Sequence, residues 1–209
     1  MQFSVPARDA ALLVIDVQTV LCTGDESVHD AEGLLARVNA LVERARAAGA
    51  SVLWVQHEDG QMMRRGTPGW QLDARLAVCP TSDGRVFKTA CDAFLRTDLH
   101  AQLREQRIGR LVVCGLQTEY CVDSTVRSAL AHGYEVVLAS DAHSTADNGV
   151  LTAPQIVAHH NATIAQLDNF GPTVAVQPAA AIDFRFDSNQ TPAEREREAA
   201  KGTASLSCA

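Results

Sequence analysis

The chain has 209 residues, the length of one domain with or without a small appendage, and a second full domain does not fit. Apolar residues make up 46% and charged residues 21%, enough to bury a substantial core, so the chain is not disordered as a whole. Eighteen basic against 25 acidic side chains leave a formal charge of −7, which excludes a nucleic-acid surface built on clustered positive charge and gives no reason to expect an anionic membrane face.

The first apolar run, Ala10 to Ile15, is too short for a signal-peptide core or a bilayer span, and a cytoplasmic protein is expected. Within it Ala11 to Ile15 reads as a strand buried on both faces and closed by Asp16. From His29 to Gly49 apolar residues recur every three or four positions (Leu34, Leu35, Val38, Leu41, Val42, Ala45), which predicts an amphipathic helix with Asp30 as N-cap and Gly49 as its stop. Ser51 to Gln56 is a second apolar strand, so the first three elements form a right-handed parallel crossover.

The alternation continues with a strand at Arg85 to Phe87, a helix at Asp98 to Gln106, a strand at Leu111 to Cys114 and a helix at Cys121 to His132. A strand at Glu135 to Ala139, a helix at Gln155 to Leu167 and an edge strand at Val174 to Val176 follow. The pattern predicts an α/β fold: a doubly wound, six-stranded, mostly parallel sheet with helices on both faces, spanning residues 1–186. The long connection from Glu58 to Gly84, with Trp70 in its middle, is expected to wall or cover the site. Residues 187–209 form a charged tail or short helix, in which Thr191 to Glu194 match a capping box.

In an open parallel sheet, ligands bind beyond the carboxyl ends of the strands. The residues that follow the predicted strands are Asp16, then His57, Glu58 and Asp59, then Lys88, then Gln117 to Cys121, then Asp141 and His143. One rim therefore collects an acid, a base and a thiol. Of the 18 basic residues only Lys88 and Lys201 are lysines, so Lys88 stands alone in the folded part, where a compact ammonium serves a site differently from guanidinium. The six cysteines (Cys22, Cys79, Cys91, Cys114, Cys121, Cys208) have no paired spacing and are expected to be reduced. Cys121, the first residue of its predicted helix, is the nucleophile candidate, because the helix terminus and a nearby cation lower a thiol pKa. Asp16 would take its proton and hold Lys88 charged. Read singly, each of the three also has an ordinary role: a core thiol, a cap and a surface charge.

Leu13-Val14-Ile15-Asp16-Val17-Gln18, Lys88 with Ala93-Phe94 and Thr97-Asp98-Leu99, Val113-Cys114-Gly115-Leu116-Gln117-Thr118-Glu119-Tyr120-Cys121-Val122, and Gly133-Tyr134 running to Ser140-Asp141-Ala142 resemble the isochorismatase-like cysteine hydrolases. That superfamily includes nicotinamidases, N-carbamoylsarcosine amidases and streptothricin hydrolases. The resemblance, over about residues 8 to 176, implies a catalytic Asp16, Lys88 and Cys121 triad. It further implies a thioester intermediate, a cis peptide at Leu116-Gln117, and an oxyanion hole from the backbone amides of Gln117 and Cys121.

Nicotinamidases carry an Asp-x-His metal motif where this chain has Val55-Gln56-His57-Glu58-Asp59, so no metal and no cofactor are expected; a metal at His57 with Glu58 or Asp59 is the alternative. The stretch Gln56 to Asp59 followed by Gly66-Thr67-Pro68-Gly69-Trp70 most resembles the streptothricin hydrolase-like branch. Gln18, His57, Trp70, Phe94 and Tyr120 are the substrate-binding candidates, with core packing the alternative for the aromatics and a strand-end histidine for His57. His159, His160 and Asn161 read as structural or interfacial.

The expected function is metal-independent hydrolysis of a C–N bond in a small amide, lactam or carbamoyl compound by a homodimer or homotetramer, with no nucleic-acid or membrane partner. The alternatives are isochorismatase-type ether hydrolysis, with Arg64, Arg65 or Arg96 holding a carboxylate, nicotinamidase activity, or a non-catalytic binding or redox-sensing protein.

Overall fold

The computed structural model describes residues 10–24 and 27–185. The tail at 187–209 and its capping-box segment lie outside the described residues. Six strands, β1 (Ala10–Ile15), β2 (Ser51–His57), β3 (Gly84–Lys88), β4 (Arg110–Leu116), β5 (Glu135–Ser144) and β6 (Val174–Gln177), form one sheet in the order β3-β2-β1-β4-β5-β6. Every pairing is parallel. The sheet is thus wholly parallel rather than mostly so, and the chain reverses its direction of progress between β1 and β4.

The helices are α1 (Thr19–Cys22), α2 (Ala31–Ala47), α3 (Leu99–Glu105), α4 (Asp123–Ala131) and α5 (Ala153–Ile164). α1 is a single turn that leaves too few residues to show a period in the sequence. All six residues of β1 are buried, and alternation sends them to two cores. Ala10, Leu12 and Val14 join Leu34, Val38, Leu41 and Val42 of α2; Ala11, Leu13 and Ile15 join Leu99 and Leu103 of α3 and Val126 and Leu130 of α4. Each such Leu, Val or Ile stabilises the fold by about 1.5–3 kcal/mol on burial, which is why the central strand reads as an unbroken apolar run.

Local chemistry departs from expectation in two places. Asp30 occupies the N-cap position of α2 in a left-handed conformation (φ 50°), but its carboxylate pairs with Arg37 Nη2 at 2.6 Å and caps no amide. β5 runs ten residues and carries a bulge. The register goes from Val113↔Leu138 to Gly115↔His143, so β4 advances two residues while β5 advances five. Asp141 and His143, expected in a rim loop, therefore belong to the strand.

Gly115 lies where β4 crosses β1 at the reversal point. Its φ is +117°, and a Cβ there would stand 2.1 Å from Ile15 O, so only glycine lets the two strands approach this closely. Among the described residues no helix is long and apolar enough to cross a membrane.

Candidate active site

The carboxyl ends of β1, β2, β3 and β4 bring Asp16, His57, Lys88 and Cys121 together. Asp16 follows β1 with φ 51°, an unusual conformation for a non-glycine residue, held by its N–H donating to Val55 O at 3.0 Å. Lys88 ends β3, and the parallel pairing sets it beside His57. Cys121 sits in a single π-helical turn, Thr118–Val122, between β4 and α4. It is two residues short of α4, not the first residue of it. Turns of this kind widen a helix locally and recur at functional sites. The Leu116–Gln117 peptide bond preceding the turn is cis, and Gln117 O accepts from the N–H groups of Tyr120 and Val122.

Lys88 Nζ lies 2.6 Å from Asp16 Oδ2, 3.1 Å from Cys121 Sγ, 3.2 Å from His57 Nδ1 and 3.1 Å from Ala90 O. The ammonium has three hydrogens and meets four acceptors. Its side chain is 0% exposed and that of Asp16 2%. Burial works to lower the Lys88 pKa, but Asp16 and Cys121 more than offset it and hold the lysine above its ordinary value. Burial pushes Asp16 above the usual carboxylate range against the pull of Lys88.

The direction at Cys121 is opposite to the lowering expected from a helix terminus and a nearby cation. Burial and the Asp16 carboxylate push Cys121 well up, with Lys88 opposing. The raised pKa of Asp16 makes its carboxylate a stronger base beside the Cys121 sulfur, and the Lys88 ammonium lies within 3.1 Å of both. His57 is held below the ordinary histidine value by burial and then by Lys88, so it is neutral and its Nδ1 accepts from the ammonium.

Asp16, His57 and Cys121 present ligand atoms that all lie within 4.8 Å of one another, an oxygen, nitrogen and sulfur set that suits a zinc-like ion. Lys88 Nζ lies within 3.2 Å of an atom of each, so a cation already occupies the centre of the set. In the other metal alternative one oxygen of each carboxylate is already engaged: Glu58 Oε2 pairs with Arg65 at 2.9 Å, and Asp59 Oδ1 accepts from the N–H groups of Gln61 and Met63.

The remaining candidates separate. Gln18 is fully buried; its Oε1 accepts from His57 N–H at 2.8 Å and its Nε2 donates to His57 O and Trp70 O at 3.0 and 2.8 Å. Both ends of the amide are engaged on backbone, so Gln18 ties the Trp70 turn to the end of β2 and offers a substrate nothing. Phe94 is a core residue, stacked near His132 and Tyr134 at 4.9 and 5.8 Å. The Trp70 ring stacks on Phe87 at 5.7 Å beneath Arg65. Neighbouring residues of β3 project to opposite faces, so this stack lies across the strand from the Lys88 ammonium. Tyr120, next to Cys121, is 51% exposed and is the aromatic that stays open beside the thiol.

Ala90 O is a part of the site's surroundings that the sequence did not mark, and the pairing of Thr118, His143 and Asn161 with one another was not foreseen although each lies on a stretch the sequence singled out. A backbone carbonyl leaves no residue-type signal. His143 does carry one, a histidine just beyond a rim aspartate.

A sequence model described as the isochorismatase domain matches residues 10–177. A streptothricin hydrolase from Streptomyces noursei is 44% identical over 140 residues, covering 66% of this chain and 55% of the relative. The chain therefore spans about half the length of the streptothricin hydrolases it matches. Among solved structures, an isochorismatase family protein is 35% identical with a TM-score of 0.73, covering 80% of this chain and 96% of its own. A cysteine hydrolase from Pseudomonas syringae pv. phaseolicola is 25% identical with a TM-score of 0.71, covering 85% and 95%.

Proposed function

The chain belongs to the isochorismatase family of hydrolases, and from that premise we propose that it is a metal-independent cysteine hydrolase cleaving a C–N bond of a small amide, lactam or carbamoyl compound. The observation that carries this reading is the buried Lys88 ammonium within bonding distance of both the Asp16 carboxylate and the Cys121 thiol.

As a substrate carbonyl approaches, Asp16 takes the Cys121 proton, and Sγ forms a bond to the carbonyl carbon while the carbonyl electron pair moves to oxygen. Lys88 keeps the developing thiolate charge-balanced. The amides of Gln117 and Cys121 are the proposed donors to the oxyanion. Collapse breaks the C–N bond, and Asp16 returns its proton to the leaving nitrogen. Water then gives a proton to Asp16 as its oxygen attacks the thioester. The thiolate leaves, and the proton comes back to sulfur, so one amide and one water yield one acid and one amine. Raised pKa values on both Asp16 and Cys121 suit this exchange, because neither group is locked in its charged form between steps.

The relatives named streptothricin hydrolase favour a lactam or amide over an ether, and a homo-oligomer is part of the proposal. Wild type and Cys121→Ala, both treated with chelator, are incubated with streptothricin, small lactams, carbamoyl amines, nicotinamide, pyrazinamide and isochorismate. Products and mass added to Cys121 are followed by mass spectrometry. Thiol-dependent turnover of an amide with an acyl adduct supports the reading; cleavage of isochorismate alone, unchanged in the alanine variant, overturns it. Light scattering on the eluting protein reports the number of subunits.

A further inference from the structure

A buried polar chain runs from α5 through the β5 bulge to the turn that carries Cys121, and the direction of every hydrogen bond in it is determined. Asn161 Nδ2 lies 2.9 Å from Ser140 O, a pure acceptor, so the amide nitrogen faces the bulge and Asn161 Oδ1 faces His143. That oxygen is 2.9 Å from His143 Nε2 and can only accept. His143 Nε2 therefore carries the proton. Its Nδ1, 2.9 Å from Thr118 Oγ1, accepts from the hydroxyl. Thr118 opens the π-helical turn, and its carbonyl accepts from the Asp123 N–H at the turn's far end.

We propose that His143 is a positioning residue for Cys121: fixed as the Nε2–H tautomer by Asn161, it anchors Thr118 and so holds the π-helical turn that presents the thiol to Asp16 and Lys88. The β5 bulge is what makes this geometry available. Three extra residues relative to β4 bring His143 opposite Gly115, three residues before that turn begins, and bulges re-aim side chains in this way. Thr118 is 0% exposed and His143 3%, so no water replaces a lost partner at no cost. Burial depresses the His143 pKa to about 4, with His160 also lowering it and Asn161 and Asp141 opposing, which keeps the ring neutral as the chain of donors requires.

The proposal rests on Cys121 as the reactive thiol, but its test needs no substrate. Imidazole nitrogen NMR on the wild type reads the tautomer: a proton on Nε2 and none on Nδ1 is expected, and the reverse overturns the proposal even if a variant fails to fold. Alkylation by iodoacetamide, resolved by residue with mass spectrometry, is then compared in wild type, Thr118→Val, Thr118→Ser and Cys121→Ser. Thr118→Val is expected to slow labelling of Cys121 about ten-fold, with Thr118→Ser restoring it. The buried thiols Cys22 and Cys114 report general loosening: a merely structural role would raise their labelling along with that of Cys121, whereas loss of position lowers Cys121 alone. Labelling of Cys121 at the wild-type rate in Thr118→Val overturns the proposal. If the tautomer and labelling tests succeed while no amide is hydrolysed, the functional reading fails and this one stands.

Discussion

Lys88 Nζ is 2.6 Å from Asp16 Oδ2, and both side chains are sealed from solvent. A buried ion pair of this kind adds little net stability over an apolar pair of the same volume, because both charges lose their hydration. Breaking it is another matter, since the survivor is then a buried, uncompensated charge. Its presence at the reversal point of the sheet is accordingly better explained by chemistry than by stability.

Removal of one partner, in Asp16→Asn or Lys88→Met, is expected to destabilise the fold by about 3–5 kcal/mol and to lower turnover by about 10³-fold or more. The double variant Asp16→Leu/Lys88→Met should recover most of the stability and none of the activity. Urea unfolding beside kinetics on the substrate found by the panel checks both. Equal instability of the single and double variants would show that the pair is structural.

Lys88 fills the centre of the Asp16, His57 and Cys121 donor set. Vacating it in Lys88→Met should create a zinc site. Zinc at 100 times its dissociation constant would stabilise that variant by about 3 kcal/mol, visible as a raised melting temperature that magnesium does not produce. The wild type should show no such shift, and its turnover should survive chelators. A zinc response as large in the wild type would mean that the ammonium does not hold the position.

Gly115→Ala would put a methyl 2.1 Å from Ile15 O at a positive φ. The strain and the forced separation of β1 from β4 should cost about 3 kcal/mol or more. Chemical denaturation measures the loss, and a change below about 0.5 kcal/mol would show that the two strands do not approach as described.

Stability should fall as pH drops from the ordinary histidine value of 6.5 toward about 4, because His143 is held neutral there while the unfolded chain takes up a proton. The unfolded state binds more protons across that window, so the free energy of unfolding rises with pH. The shift corresponds to a contribution of about 3 kcal/mol. His57, also depressed by burial and by Lys88, acts in the same direction. Around His143 the charged or titratable neighbours are Asp141 and His160, with Thr118 and Asn161 as its neutral partners. His143→Gln should flatten the profile between pH 6.5 and 4 in unfolding titrations; an unchanged slope would place the proton uptake elsewhere.

What the sequence determined by itself is the set of parallel strands and the rim they share. Ala11 to Ile15 could be read as a two-faced strand because both faces meet helices, and burial on both sides leaves no polar position to mask the run. Asp16, Lys88 and Cys121 were legible because each ends or follows a strand on the carboxyl rim of one parallel sheet, the rim where ligands bind in such folds. Tertiary structure alone decided which neighbours spend their polar groups inward. Gln18 looked like a ligand contact, but its amide reaches 39 residues along the sequence to His57 and 52 to Trp70, tying both to the end of β1. Phe94 looked like a pocket wall and lies in the core. The thiol's electrostatics also escaped the sequence. A helix terminus acts within one turn and can be read locally, whereas desolvation depends on every element packed around Cys121, and here it outweighs the cation beside it. The bulge in β5 has the same origin, since three residues become extra only against the register of a partner strand.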